Sequence, residues 1–208
     1  MTAPPDLRLI VITDRRLAGT RSIIEIVRAA LDAGAPAIQL RDKSATAREL
    51  AELARTLLRL TAAAQALLFV NDRLDVALAC GADGVHLGPD DVPLTAARRI
   101  APLPFLIGCS TDDATRARQL EHDGASYIGC GAVFGTSTKD VAGERIGIAR
   151  LDQVARAVSI PVVGIGGVNA SNIAEISRTA AAGAAVVSAV MAAADPGAAT
   201  AELMALLE

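Results

Sequence analysis

Aromatic residues are nearly missing from this chain. Its 208 residues include three Phe, one Tyr and no Trp, 2 % in all. A surface that holds single-stranded nucleic acid by stacking bases on rings has no material here. A basic excess is missing too: 20 Lys and Arg stand against 23 Asp and Glu, for a net charge of −3. That leaves no electrostatic footprint for nucleic acid. Cysteine is sparse and odd in number. Cys80, Cys109 and Cys130 are scattered with no zinc-ligand spacing, so they read as reduced and mostly buried thiols. No apolar run reaches the roughly 18 residues of a spanning helix without charges or turn signals. The opening residues contain no apolar targeting region. The expectation is a cytoplasmic protein without membrane contact.

What is present is aliphatic. The chain is 52 % hydrophobic with a mean hydropathy of +0.40. With so few rings its core must be built from Ala, Val, Ile and Leu, which suits a sheet buried on both faces. Short apolar runs alternate with amphipathic ones throughout. Strands are expected over residues 7–13, 35–41, 66–71, 84–87, 105–109, 125–129, 161–165 and 184–188. Helices are expected over 22–33, 74–80, 93–100, 112–123, 149–158, 170–182 and 197–207. A further long helix runs to Gln65, with Thr46 and Glu49 placed to form a capping box at its start. Such alternation implies parallel strands joined by right-handed crossovers. Eight units with no linker or low-complexity break place the chain in the α/β class. The reading is one compact (β/α)8 TIM barrel, a single catalytic domain over residues 1–208. A doubly wound open sheet is the competitor. It needs fewer strands and usually a glycine-rich first turn, where this chain has Thr13-Asp14-Arg15-Arg16.

In such barrels chemistry collects at the carboxyl ends of the strands. The second strand ends in Gln39-Leu40-Arg41-Asp42-Lys43, and alternation points Gln39 and Arg41 the same way. Inward-facing groups of this kind call for an anion. The third strand ends in Asn71-Asp72-Arg73 and the fourth in His86-Leu87-Gly88, with Asp91 close behind. Helix capping is the plain account of each acidic residue. On neighbouring strands, however, Asp72 and Asp91 also suit Mg²⁺, which takes few protein carboxylates and completes its shell with water and phosphate oxygens. His86 reads as a core or supporting histidine. Ser110, after the fifth strand, is a cap or an anion contact, and no His/acid partner marks it as a nucleophile. The long connection after the sixth strand carries Gly135-Thr136-Ser137-Thr138-Lys139, a candidate anion-contacting lid. The seventh strand ends in Gly164-Ile165-Gly166-Gly167 and the eighth in Val187-Ser188, where barrels commonly bind phosphate through backbone amides. One rim thus offers a charged region fit for a metal-bound diphosphate and a neutral region fit for a monophosphate.

These fragments, in this order and spacing, resemble the thiamine phosphate synthase family along nearly the whole chain. That family is a TIM barrel that joins an aminopyrimidine methyl diphosphate to a thiazole monophosphate and releases pyrophosphate. The resemblance implies that Gln39, Leu40, Arg41, Asp42, Lys43, Asn71, Ser110 and Lys139 hold the pyrimidine diphosphate. It implies Asp72 and Asp91 as ligands of Mg²⁺. It places Thr136, Ser137, Thr138, Gly167, Val187 and Ser188 around the thiazole phosphate. The catalytic contacts would be Arg41, Lys43, Ser110 and Lys139. The chain departs from the family pattern at Pro89, at Gly135 and at Thr111-Asp112-Asp113. The expected chemistry is dissociative loss of Mg-bound pyrophosphate followed by attack of the thiazole nitrogen, so no nucleophilic side chain is needed. Partners would be small phosphorylated heterocycles, with homo-oligomerisation left open. Two alternatives stand beside it: a thiazole tautomerase-like isomerase, and a non-catalytic binder of phosphorylated thiamine precursors.

Overall fold

The computed structural model describes residues 5–135 and 145–207. Eight strands form a closed barrel: β1 (Leu9–Ile12), β2 (Ala37–Leu40), β3 (Leu67–Asn71), β4 (Gly84–Leu87), β5 (Leu106–Ser110), β6 (Tyr127–Gly131), β7 (Val162–Ile165) and β8 (Gly183–Val186). Each strand pairs in parallel with its sequence neighbour, and β8 returns to pair with β1. The helices are α1 (Arg15–Ala18), α2 (Ile23–Asp32), α3 (Ala47–Ala63), α4 (Leu74–Cys80), α5 (Leu94–Ile100), α6 (Ala114–His122), α7 (Gly147–Ala155), α8 (Ile173–Ile176), α9 (Ser188–Met191) and α10 (Pro196–Ala205).

Local chemistry explains the elements. The Thr46 hydroxyl accepts from Glu49 N–H while the Glu49 carboxylate accepts from Thr46 N–H, so the expected capping box starts α3. Ser22, Asp113 and Asp195 cap α2, α6 and α10. The helix expected over 170–182 is a single turn. Thr179 donates its hydroxyl to Ile176 C=O and accepts from Ala181 N–H, while the Asp152 carboxylate takes Ala180 N–H. Side chains thereby take over backbone groups that a longer helix would pair. Two further one-turn helices, α1 and α9, were not expected. Residues after Val186, expected as strand, turn at once into α9.

Alternation along each strand separates two cores. Outward residues such as Val11, Ile38, Leu40, Val70, Val85, Ile107 and Ile128 pack under the helices in an aliphatic shell. Inward residues Ile10, Ile12, Ala37, Phe69, Tyr127, Val163 and Ala185 fill the barrel axis. The expectation of an aliphatic core holds for the shell. At the axis two of the few rings meet edge to face, Phe69 and Tyr127, with centroids 5.3 Å apart. Cys109 and Cys130 are buried, Cys80 is partly so, and all three are free thiols. At the foot of β5 and β6, the Arg98 guanidinium donates to the carbonyls of Ala101, Phe105 and Gly124 and to the Ser126 hydroxyl. Among the described residues no helix is long and apolar enough to cross a membrane.

Candidate active site

A closed parallel barrel brings every strand's carboxyl end to one rim. Arg41 follows β2 on its inward face. Its guanidinium donates to the Asp14 carboxylate at 3.0 Å, with the two side chains 13 % and 5 % exposed. Thr13 grips the same residue by its backbone, accepting from Arg41 N–H and donating to Arg41 C=O. Asp14 also caps α1, accepting from Arg16 and Leu17 N–H. Sequence reading passed over Asp14. The signal was there: a Thr-Asp pair directly after an apolar strand.

Lys43, Asp42, Asn71, Asp72 and Arg73 line a cavity of about 280 Å³. Asp42 shapes its edge. One carboxylate oxygen accepts from Ser44 N–H, the Ser44 hydroxyl and Ala45 N–H, and the other from Arg15. Burial pushes this carboxyl up, but the Ser44 and Arg15 bonds outweigh it and hold it below the usual range. Leu40 is the exception in its segment. Its side chain lies in the outer shell, leaving only backbone to face the mouth.

Asp72 and Asp91 are brought together. Asp72 sits in left-handed backbone at φ 63°, an uncommon setting for a non-glycine residue that Asp tolerates better than most. Its carboxyl is pushed above the usual range by burial first and then by contact with Asp91, against the pull of Lys43 and Arg41. Asp91 is fixed by Gly88 N–H at 2.7 Å. Neither acid caps a helix, since the capping positions of α4 and α5 are Arg73 and Pro93, and neither helix has a side-chain cap. Among the described residues no three His, Cys, Asp or Glu form a metal cage. A carboxylate pair that raises its own protonation is nonetheless a donor set that a divalent cation relieves. Mg²⁺ takes one or two carboxylates plus substrate phosphates, so the residues fit it.

Across the mouth the rim is backbone. Gly166 and Gly167 have φ of 100° and 68°. A Cβ at Gly167 would lie 2.2 Å from Phe134 O. Asn169 and Asn172 both donate to Gly167 C=O, and Phe134 N–H donates to Gly166 C=O. Val187 and Ser188 open α9 next to this rim. Ser110 ends β5. It does not cap α6, where Asp113 accepts from Arg116 N–H. Its hydroxyl meets His86 Nε2 at 2.9 Å, and His86 Nδ1 meets the Tyr127 hydroxyl at 2.9 Å. Gln39, inward and 3 % exposed, hydrogen-bonds the same phenol. Thr136, Ser137, Thr138 and Lys139 lie outside the described residues.

Comparison with known proteins identifies the family of the chain. A family profile described as Thiamine monophosphate synthase matches residues 9–190. A thiamine-phosphate synthase of Roseiflexus castenholzii is 53 % identical over 190 residues, covering 91 % of this chain and 83 % of that one. One from Moorella thermoacetica is 46 % identical over 199 residues, 96 % and 95 % of the two chains. The solved thiamine phosphate pyrophosphorylase of Pyrococcus furiosus superposes with a TM-score of 0.90 at 46 % identity, over 98 % of this chain and 96 % of that one. A 3-hexulose-6-phosphate synthase at 20 % identity and a TM-score of 0.72 shares the barrel alone. These names do not favour the isomerase and binder readings. With a family match over most of its length and relatives near half identity, the chain belongs to the thiamine monophosphate synthase family.

Proposed function

We propose that this chain is a thiamine-phosphate synthase, one catalytic barrel that joins 4-amino-2-methyl-5-hydroxymethylpyrimidine diphosphate to 4-methyl-5-hydroxyethylthiazole phosphate. The observation that carries this is the gathering of Arg41, Lys43, Asp72 and Asp91 at the ends of neighbouring strands, with the Gly166-Gly167 rim on the same mouth. Arg41 and Lys43 bind the diphosphate, with Lys139 joining them. Asn71 and Ser110 contact the same substrate from β3 and β5, and Gln39, Leu40 and Asp42 complete its pocket. Gly167, Val187 and Ser188 seat the thiazole phosphate, helped by Thr136, Ser137 and Thr138.

In the reaction the bond between the pyrimidine methylene carbon and the diphosphate oxygen breaks, and the electron pair leaves with pyrophosphate. The amino group of the pyrimidine stabilises the cation left behind. The thiazole nitrogen then gives its lone pair to that carbon. The side chains stabilise charge and hold geometry; none forms a covalent intermediate. Arg41 and Lys43 face charge as it develops, where one such contact is commonly worth roughly 10²–10³ in rate. Holding the two heterocycles side by side contributes several kcal/mol more. Asp72 and Asp91 would hold Mg²⁺, which when bound supplies positive charge to the diphosphate oxygens.

The direct assay mixes both phosphorylated heterocycles with the protein and Mg²⁺ and follows pyrophosphate. Release matched by the joined product supports the reading. A mixture that yields neither overturns it.

A further inference from the structure

We propose that His86 and Tyr127 are positioning residues: they form a hydrogen-bond relay, running from Gln39 to Ser110 through the barrel axis, that commits the Ser110 hydroxyl to donate into the mouth. This rests on the reading of Ser110 as a substrate contact and adds how its proton is aimed.

The relay spans four strands. Gln39 comes from β2, His86 from β4, Ser110 from β5 and Tyr127 from β6. Both His86 nitrogens are engaged at 2.9 Å, one by the phenol and one by the serine. Tyr127 is 1 % exposed, so its hydroxyl has no recourse to solvent. Room for these side chains is made by two glycines with ordinary backbone angles. A Cβ at Gly108 would lie 2.1 Å from Tyr127 Cζ, and one at Gly129 would lie 2.9 Å from His86 Cε1. Conformational freedom does not call for glycine at either position; the space does.

Proton counting then sets the direction. A hydroxyl carries one proton, and a neutral imidazole carries one on a single nitrogen. His86 lies between a phenol and a serine hydroxyl, and a phenol is the stronger donor and the weaker acceptor of the two. The phenol proton therefore turns to His86 Nδ1. The imidazole proton then sits on Nε2 and is donated to Ser110 Oγ. With its oxygen already accepting, Ser110 directs its own proton away from His86, toward the rim. The opposite polarity would make Ser110 an acceptor facing an anionic substrate. A fixed donor suits the diphosphate oxygen whose negative charge grows as the carbon–oxygen bond breaks, and such a bond strengthens in the transition state. The proton is aimed and shared without being transferred.

Two measurements test this on the intact protein. The chain has two histidines, and His122 sits on the exposed face of α6, so an ¹⁵N-histidine long-range correlation spectrum separates them. His86 is expected as the Nε2–H tautomer; an Nδ1–H tautomer overturns the relay's direction. The second is a double-mutant cycle on turnover. Tyr127→Phe keeps the ring and removes the hydroxyl. It is expected to lower kcat roughly tenfold, the scale of one hydrogen bond to a charged group. KM for the thiazole phosphate should stay within about twofold and melting should be little changed. Combined with Ser110→Ala it should cost no more than Ser110→Ala alone. Wild-type kcat in Tyr127→Phe, or losses that multiply in the double variant, overturn the proposal. Full turnover in Ser110→Ala, with His86 still the Nε2–H tautomer, instead overturns the substrate-contact reading beneath it.

Discussion

The two halves of the mouth are built by different means. Around β2–β4 it is lined by charged side chains, several of them fixed by their surroundings. Arg41 is held by Asp14 and Thr13, Asp91 by Gly88 N–H, and Asp72 by left-handed backbone. Around β7–β8 the rim is the chain itself, with Gly167 packed against the carbonyls of Phe134 and Gly135. The lesson concerns how each half fails. A side-chain half can lose one contact while the fold persists. A backbone half would couple function to stability, because the atoms offered to a ligand there are also packed against the neighbouring loop.

The sharpest way to break this comparison is Gly167→Ala. The new Cβ would meet backbone oxygens at 2.2 and 2.3 Å at a φ of 68°. We expect a loss of roughly 2–4 kcal/mol with most of the turnover. Thermal unfolding beside a turnover assay checks it, and an active variant of native stability would erase the contrast. Next comes Lys43→Ala, expected to lower turnover by about 10²–10³ with melting almost unmoved. Asp72→Asn should lose comparable turnover yet melt about 2–4 °C higher, because Asn tolerates left-handed backbone and the carboxylate contact is gone. A lower melting temperature would show that Asp72 supports the fold. Smaller still, Asp14→Asn keeps the cap on α1 but removes the charge facing Arg41. KM for the pyrimidine diphosphate should rise about tenfold while KM for the thiazole phosphate stays put; equal shifts in both would remove the division of labour.

The smallest effect belongs to the wall between the halves. Burial pushes the Cys109 thiol up to about 11 and the Cys130 thiol up to about 12, from 9.0. A raised thiol favours the fold while it stays protonated, so its contribution is full below 9.0 and is lost as pH climbs toward those values. Melting should therefore fall above about pH 9, and a disulfide reagent at pH 8 should modify Cys80 well ahead of the other two. Fast reaction at Cys109 would contradict its burial.

Much of this was legible in the chain. Alternating runs announced eight strands, and polar or glycine residues just past most of them pointed to one rim. Thr46 and Glu49 announced a cap. What periodicity reports is the face a side chain takes, and that placed Gln39 and Arg41 on the inward face; Asp72 and Gly167 were read from their positions just after strand ends. It does not report the partner across the axis. Asp14 and Arg41 are 27 residues apart and His86 and Tyr127 are 41 apart, so their contacts exist only once the barrel closes. The relay left a faint trace: Gly108 and Gly129 occupy inward positions where a buried strand would ordinarily carry bulk. The one-turn α8 was hidden for a related reason, because Asp152 reaches Ala180 from another helix.

At the far end from all of this, Arg98 gathers carbonyls from three residues into one knot. A loosened knot would let the bottom of the cylinder fray while the catalytic lip kept its shape. Heat tolerance can therefore drift there, generation by generation, without the chemistry having to be rediscovered.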